Sequence, residues 1–516
     1  MTNTLARRGA RALLGVAALA TTLGTSACDS ANSAWNSVGN LMVGGSSGPQ
    51  QGQPGYVKGF LGGVSADEPR AALAGRDVLA AGGTAADAAI AMGLMLSVTL
   101  PSRASLGGGG ACLVYNPDTK SINKGKPEAV LFVAPPGGGT GDRPAAVPLM
   151  ARGLYALSAR YGKLPFEQIS IRAEQAARDG VPMSRALARD LAVVAGPLSG
   201  DPLARAIFLD ASGRPLPEGS LVRQPDLAAT LGQMRLAGVG DLYNGALQRR
   251  MAMAATAAGG GVTEAALRAA LPAWAAPIEV PGRKGDSVAF LPVDGGLATA
   301  VAFKALQAAP DDLAGAQAKA LAAAAAWRRG GVSMEALLNG PAPTAPALGH
   351  LPASTAFLAM DRSGEVVGCA LSMNNLFGTG RIAPGTGVVL AASPAAAPEP
   401  LLSVAIGYNS NIEAFHGAAT GTGQEGAPVA AADGVRQVLN AELPVRVPFG
   451  DFRQGGVDPV LGVPEARRET RRTVLRLAPD PGRANVLGCS GYLPGDEDSC
   501  GWTVDPRMAG LALGSN

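Results

Sequence analysis

The chain has 516 residues, with 43 Lys and Arg against 40 Asp and Glu and a formal net charge of +3. Hydrophobic residues make up 47% and charged residues 16%, the reverse of the balance that keeps a chain unfolded, so one large two-part body or two domains is expected. With the two signs so nearly balanced, no nucleic-acid partner is expected. The only two histidines, His350 and His416, exclude a His-rich metal centre and argue against a Ser-His-Asp triad; no metal and no cofactor is expected.

The first segment carries Arg7, Arg8 and Arg11 and then the apolar run Ala12 to Ala20. That is a positive n-region followed by an h-region too short to span a bilayer stably. Thr25, Ser26 and Ala27 precede Cys28 in a pattern similar to a bacterial lipobox. Residues 1–28 therefore read as a signal peptide with Cys28 as the lipidated residue. Residues 29–55, polar and rich in Gly, Ser, Gln and Pro, read as a flexible tether. An exported protein on the periplasmic face, held to a membrane by its lipid, is the expectation.

Residues 65–100 read as a helical unit broken at Gly82-Gly83, with Asp87 inside an Ala-rich helix and Pro101 as its stop. Four glycines, Gly107 to Gly110, lead into an apolar strand, Ala111 to Tyr115. A glycine run of this kind lets backbone approach backbone without Cβ atoms in the way. Residues 145–270 are expected to be mostly helical, 280–305 strand-like, 310–327 an Ala-rich helix, and 330–353 a Pro-rich loop. The chain then changes character. Phe357 to Met360, the turn sequence Asp361-Arg362-Ser363-Gly364, and Glu365 to Met373 form the pattern of a β-hairpin. Cys112 and Cys369 lie in apolar surroundings and read as buried free thiols. Cys489 and Cys500, eleven apart in a loop-like segment, read as a disulfide in an exported protein.

A hydroxyl at the first residue of a strand, directly after a loose loop, suits a self-cleaving precursor. Once the preceding peptide bond breaks, the new α-amine serves as base for that hydroxyl. This chemistry needs no histidine.

Several stretches together resemble the gamma-glutamyltransferase family of N-terminal-nucleophile hydrolases. They are Gly82-Gly83-Thr84-Ala85-Ala86-Asp87-Ala88-Ala89, Leu106 to Gly110, Tyr161-Gly162-Lys163-Leu164-Pro165-Phe166, Gln224 to Ala228 with Leu242 to Gly245, and Phe377 to Gly380 with Pro384 to Gly387. Their order and spacing carry the resemblance, over roughly residues 58–445. It implies an α+β fold, a four-layer αββα sandwich, made as a proenzyme whose large (56–353) and small (354–516) parts stay associated after self-cleavage. Counting back from Asp361 as the family does lands the nucleophile on Ser354; a one-residue slip makes it Thr355. The resemblance further implies Ser372 as a second catalytic hydroxyl and Asn374 and Ser403 as substrate contacts. It places an oxyanion turn within Gly417 to Gly423, Gly421 included.

Two charged positions of the family are missing. Val130 to Pro135 holds no Arg for a glutamyl carboxylate, and Leu390 to Pro398 holds no acid for its ammonium. Arg103 is the candidate replacement for the clamp. Three functions follow: a γ-glutamyl amide hydrolase or acyltransferase acting on compounds such as glutathione, an amidase for another acyl group, or a non-catalytic lipoprotein that keeps the scaffold as a binding module.

Overall fold

The computed structural model describes residues 59–344, 348–440 and 478–514. Cys28, the signal segment and the tether lie outside the described residues.

Helix formation after the first strand, β1 (Gly62–Ala66), follows from its capping residues. Glu68 accepts a hydrogen bond from the Ala71 N–H and Pro69 sits at the start of α1 (Pro69–Ala80), both favourable at a helix N-terminus. Helix α2 (Ala85–Thr99) opens with a capping box between Thr84 and Asp87. The Asp87 carboxylate also accepts the Lys163 and Leu164 N–H groups, tying the helix start to the Tyr161–Phe166 segment. Every residue of α2 is buried, as expected of a helix apolar all round.

Beside two small two-stranded sheets, the remaining strands among the described residues build two large antiparallel sheets. They are β2 (Gly109–Tyr115), β3 (Glu128–Phe132), β4 (Ala273–Ala275), β5 (Ile278–Pro281), β6 (Ser287–Phe290), β7 (Ser354–Asp361), β8 (Val366–Ser372), β9 (Ser403–Asn409), β10 (Ala414–Thr422), β11 (Arg483–Leu493), β12 (Cys500–Val504) and β13 (Leu511–Gly514). The first sheet has the order β13-β1-β7-β8-β2-β3-β4 and the second β12-β11-β10-β9-β6-β5. Side chains alternate along each strand and sort into three cores. Phe357, Ala359, Cys112 and Leu371 pack outward against α1 and α2. Ala356, Leu358, Met360, Ala370, Val404, Ile406 and Ala418 meet between the sheets. Phe290, Ala405, Ala419 and Val486 pack outward against α3 (Asp294–Ala308), α4 (Leu313–Arg329) and α5 (Ala427–Leu439). The layers are helix, sheet, sheet, helix, as expected.

Three expectations are corrected. Residues 294–308 form α3, not a strand; a continuous apolar run has no decisive period, and its Ala-rich length of more than three turns favours helix. Residues 330–353 include a short helix, Met334–Asn339, capped by Ser333. Cys112 and Cys369 are not free thiols. They stand opposite each other in the β2/β8 register and form a disulfide with a Cα separation of 4.1 Å. A sequence separation of 257 hides that pairing. The expected Cys489–Cys500 disulfide is present, but between paired strands β11 and β12 and not in a loop. The segment after residue 445 thus supplies β11, β12 and β13 to the two sheets.

Candidate active site

The Pro-rich segment ends where β7 begins, at Ser354. The β7/β8 register sets Ser354 directly opposite Ser372, and Ser372 in turn opposite Gly109 at the start of β2. Alternation places Ser354 on the face of Ala356 and Leu358, between the sheets, and Ser372 on the face of Ala370. The two hydroxyls therefore share one face. Both residues are 3% exposed.

The tetraglycine run makes this packing possible. A Cβ on Gly108 would lie 2.5 Å from the Ser372 carbonyl oxygen, one on Gly109 2.3 Å from that of Phe132, and one on Gly110 2.3 Å from that of Ala370. Any other residue would push these backbones apart.

The Ser372 hydroxyl donates to the carbonyl oxygen of Ala353 at 3.0 Å, the carbonyl of the peptide bond that precedes Ser354. Its oxygen also accepts the Asn374 N–H at 3.0 Å. Asn374 adopts a left-handed backbone, φ 55°, and its side-chain amide donates to the Ala392 carbonyl at 3.0 Å. Asn374 thus ties the strand end to the segment that lacks an acid.

Thr355 is fully buried on the other face. Its hydroxyl donates to Asp67 Oδ2 at 3.1 Å, and the Ala356 N–H donates to the same oxygen at 3.2 Å. Asn485 Nδ2 donates to Asp67 Oδ1 at 2.8 Å and to the Ala356 carbonyl at 3.1 Å. Burial pushes the Asp67 carboxyl above its ordinary range, against the opposing pull of these hydrogen bonds and of the nearby Arg103 charge. Thr355 is engaged as a donor beneath the strand. The Ser354 hydroxyl makes no hydrogen bond among the described residues.

Arg103 is held by Asp190, with Nε to Oδ2 at 2.7 Å and Nη2 to Oδ1 at 2.6 Å, and Ser102 donates to the same carboxylate at 2.6 Å. The two nitrogens that would clamp a substrate carboxylate are occupied. In the arginine-free segment 130–135, Leu131 and Val133 pack against the inter-sheet core. Ser403 is buried, donates to the Leu401 carbonyl and pairs with Gly421.

Gly421 does not lie in a turn. It is inside β10, paired with β9 and β11, and a Cβ there would sit 2.0 Å from the Ala427 carbonyl oxygen. The strand-to-helix turn is Gly423 to Ala427, with Gly423 at φ 100°. Gln424 in that turn donates to the Leu351 carbonyl at 2.6 Å, three residues before Ser354, so this turn borders the site. His350 is exposed. His416 is buried with Nδ1 2.7 Å from Asp286 and its ring against Tyr492, in a polar cluster of its own.

Asp67, Asp190 and Asn485 were not visible from sequence as site residues. Asp67 stands beside Glu68 just ahead of a helix, where acids ordinarily cap. Asn485 lies in a segment with no recognisable motif.

The gamma-glutamyltranspeptidase family model matches residues 71–329. Glutathione hydrolase 7 of Bos taurus is 34% identical over 216 residues, covering 39% of this chain and 32% of that protein. Human glutathione hydrolase 6 is 30% identical over 320 residues, covering 61% of this chain and 55% of that protein. The chain thus spans about a third to about half of the length of these relatives. Among solved structures, cephalosporin acylase from Bacillus halodurans shares the fold with a TM-score of 0.67 at 20% identity, over 90% of this chain and 98% of that one.

Proposed function

Because this chain belongs to the gamma-glutamyltranspeptidase family, we propose that it is a self-cleaving amide hydrolase or acyltransferase with Ser354 as its N-terminal nucleophile, acting on γ-glutamyl compounds such as glutathione. The observation that carries this reading is the 3.0 Å hydrogen bond from Ser372 to the Ala353 carbonyl. In the self-cleavage, Ser354 Oγ attacks the Ala353 carbonyl carbon. Negative charge develops on the carbonyl oxygen where the Ser372 O–H already points, the placement that oxyanion stabilisation requires. The C–N bond breaks, the Ser354 nitrogen takes the proton, and an ester remains. Water hydrolyses the ester, leaving the Ala353 carboxylate, the free Ser354 hydroxyl and its α-amine. That amine then acts as base for Ser354 towards an amide substrate.

Ser354 is favoured over Thr355 because Thr355 is committed to Asp67 on the opposite face. A second reading, an amidase for a less polar acyl group, is favoured by one specific feature. Residues 130–135, the segment in which the resemblance expects an Arg, hold none and turn Leu131 and Val133 to the inter-sheet core, and a zwitterionic substrate without its ion pairs loses about 1.5–3 kcal/mol per charged hydrogen bond. Export and lipidation at Cys28 belong to the same reading; two disulfides support an oxidising compartment.

The test is turnover of a γ-glutamyl anilide beside simple acyl anilides. The wild-type chain is expected to hydrolyse one class, Ser354→Ala neither, and Thr355→Ala to keep turnover. Hydrolysis of acyl anilides alone assigns the second reading. An uncut chain inactive on both is a retained binding scaffold.

A further inference from the structure

The Cys112–Cys369 disulfide has no place in the chemistry above, yet its two halves lie on opposite sides of the Ala353–Ser354 bond. Cys112 is in β2, within the part of the chain before the junction. Cys369 is in β8, within the part after it. Cys489 and Cys500 both follow the junction, so they join nothing across it. We propose that Cys112–Cys369 is a covalent staple between the two fragments, so that the processed protein is a disulfide-linked two-chain molecule. This rests on the self-cleavage reading.

The geometry supports a permanent link. Both cysteines are fully buried on the helix-facing side of the first sheet, out of reach of small reductants in the folded protein. They sit in the ladder that also pairs Ser372 with Gly109, three positions along. The staple therefore clamps the strand from the N-terminal part, which carries the tetraglycine run, against the strand from the C-terminal part, which carries Ser372. Neither step of self-cleavage touches it. Peptide hydrolysis consumes one water and exchanges no electrons. The disulfide itself forms by thiol–disulfide exchange, two thiols giving two protons and two electrons to a disulfide oxidant.

The consequence is read on denaturing gels of purified protein alkylated with N-ethylmaleimide. The expected result is one full-length band without reductant and two bands with dithiothreitol, the shorter fragment beginning Ser-Thr-Ala-Phe. Cys112→Ser/Cys369→Ser is expected to give two bands in both lanes. Two bands from the wild-type protein without reductant would overturn the staple while leaving self-cleavage intact. One band in both lanes would instead defeat the self-cleavage reading. In that case a specific protease site inserted between the exposed Gly349 and His350 decides the staple by itself. After protease treatment, fragments that part only on reduction support it, and fragments that part without reductant overturn it.

Discussion

Replacing Ser372 by Ala removes the donor to the Ala353 carbonyl and the acceptor for the Asn374 N–H. The first loss acts on the rate. A hydrogen bond to an oxygen that gains a full charge in the transition state is worth about 2.7–4 kcal/mol there, so self-cleavage should slow about 10²–10³-fold. The second loss acts on the fold, since a buried N–H without a partner costs about 1–3 kcal/mol. A chain of this size should still fold with that deficit, so the two effects separate. Ser372→Thr keeps the hydroxyl and should cleave within about tenfold of wild type. The assay is the time course of precursor and fragments on reducing gels after synthesis in a cell-free system, with thermal melting of each variant beside it. A Ser372→Ala chain that melts normally and cleaves at the wild-type rate would refute the role assigned to this hydroxyl.

Further outcomes follow from the surrounding charges. Burial and the neighbouring Asp361 push Glu365 up to about 8, so its contribution to stability is present below about pH 4.5 and lost as pH rises through 8; Glu365→Gln should therefore gain on wild type as pH rises across that window, and a pH-independent difference in denaturant midpoints would contradict this. Asp67→Ala strands the donors of Thr355, Ala356 and Asn485 and should cost roughly 3–5 kcal/mol in chemical denaturation. Arg103→Met leaves the Asp190 carboxylate without its cation and should cost roughly 3 kcal/mol with KM for an anilide substrate unchanged; a tenfold rise in KM would instead place Arg103 on the substrate.

Much of this architecture was legible because it depends on local signals. The break at Gly82-Gly83, the stop at Pro101, the tetraglycine strand and the hairpin turn at Asp361 to Gly364 each dictate local structure through sterics or turn chemistry, and Ser354 opens β7 where the end of the Pro-rich loop placed it. What was hidden depends on registry between distant segments. Cys112 and Cys369 meet only because β2 and β8 are neighbours. Asn485 reaches Asp67 only because β11 joins the second sheet directly behind β7. Gly421 was misplaced by two residues because β10 runs on to Thr422 before the turn, and a glycine-rich run does not announce which of its glycines turns the chain.

The whole functional account depends on whether the chain opens at one particular bond. Intact-mass spectrometry of the reduced, purified protein reads this directly. The account predicts a C-terminal fragment whose first residue is Ser354 and its disappearance in Ser354→Ala. A wild-type protein recovered only as an unbroken chain, or one cut so that the new terminus is any residue other than Ser354, would contradict it.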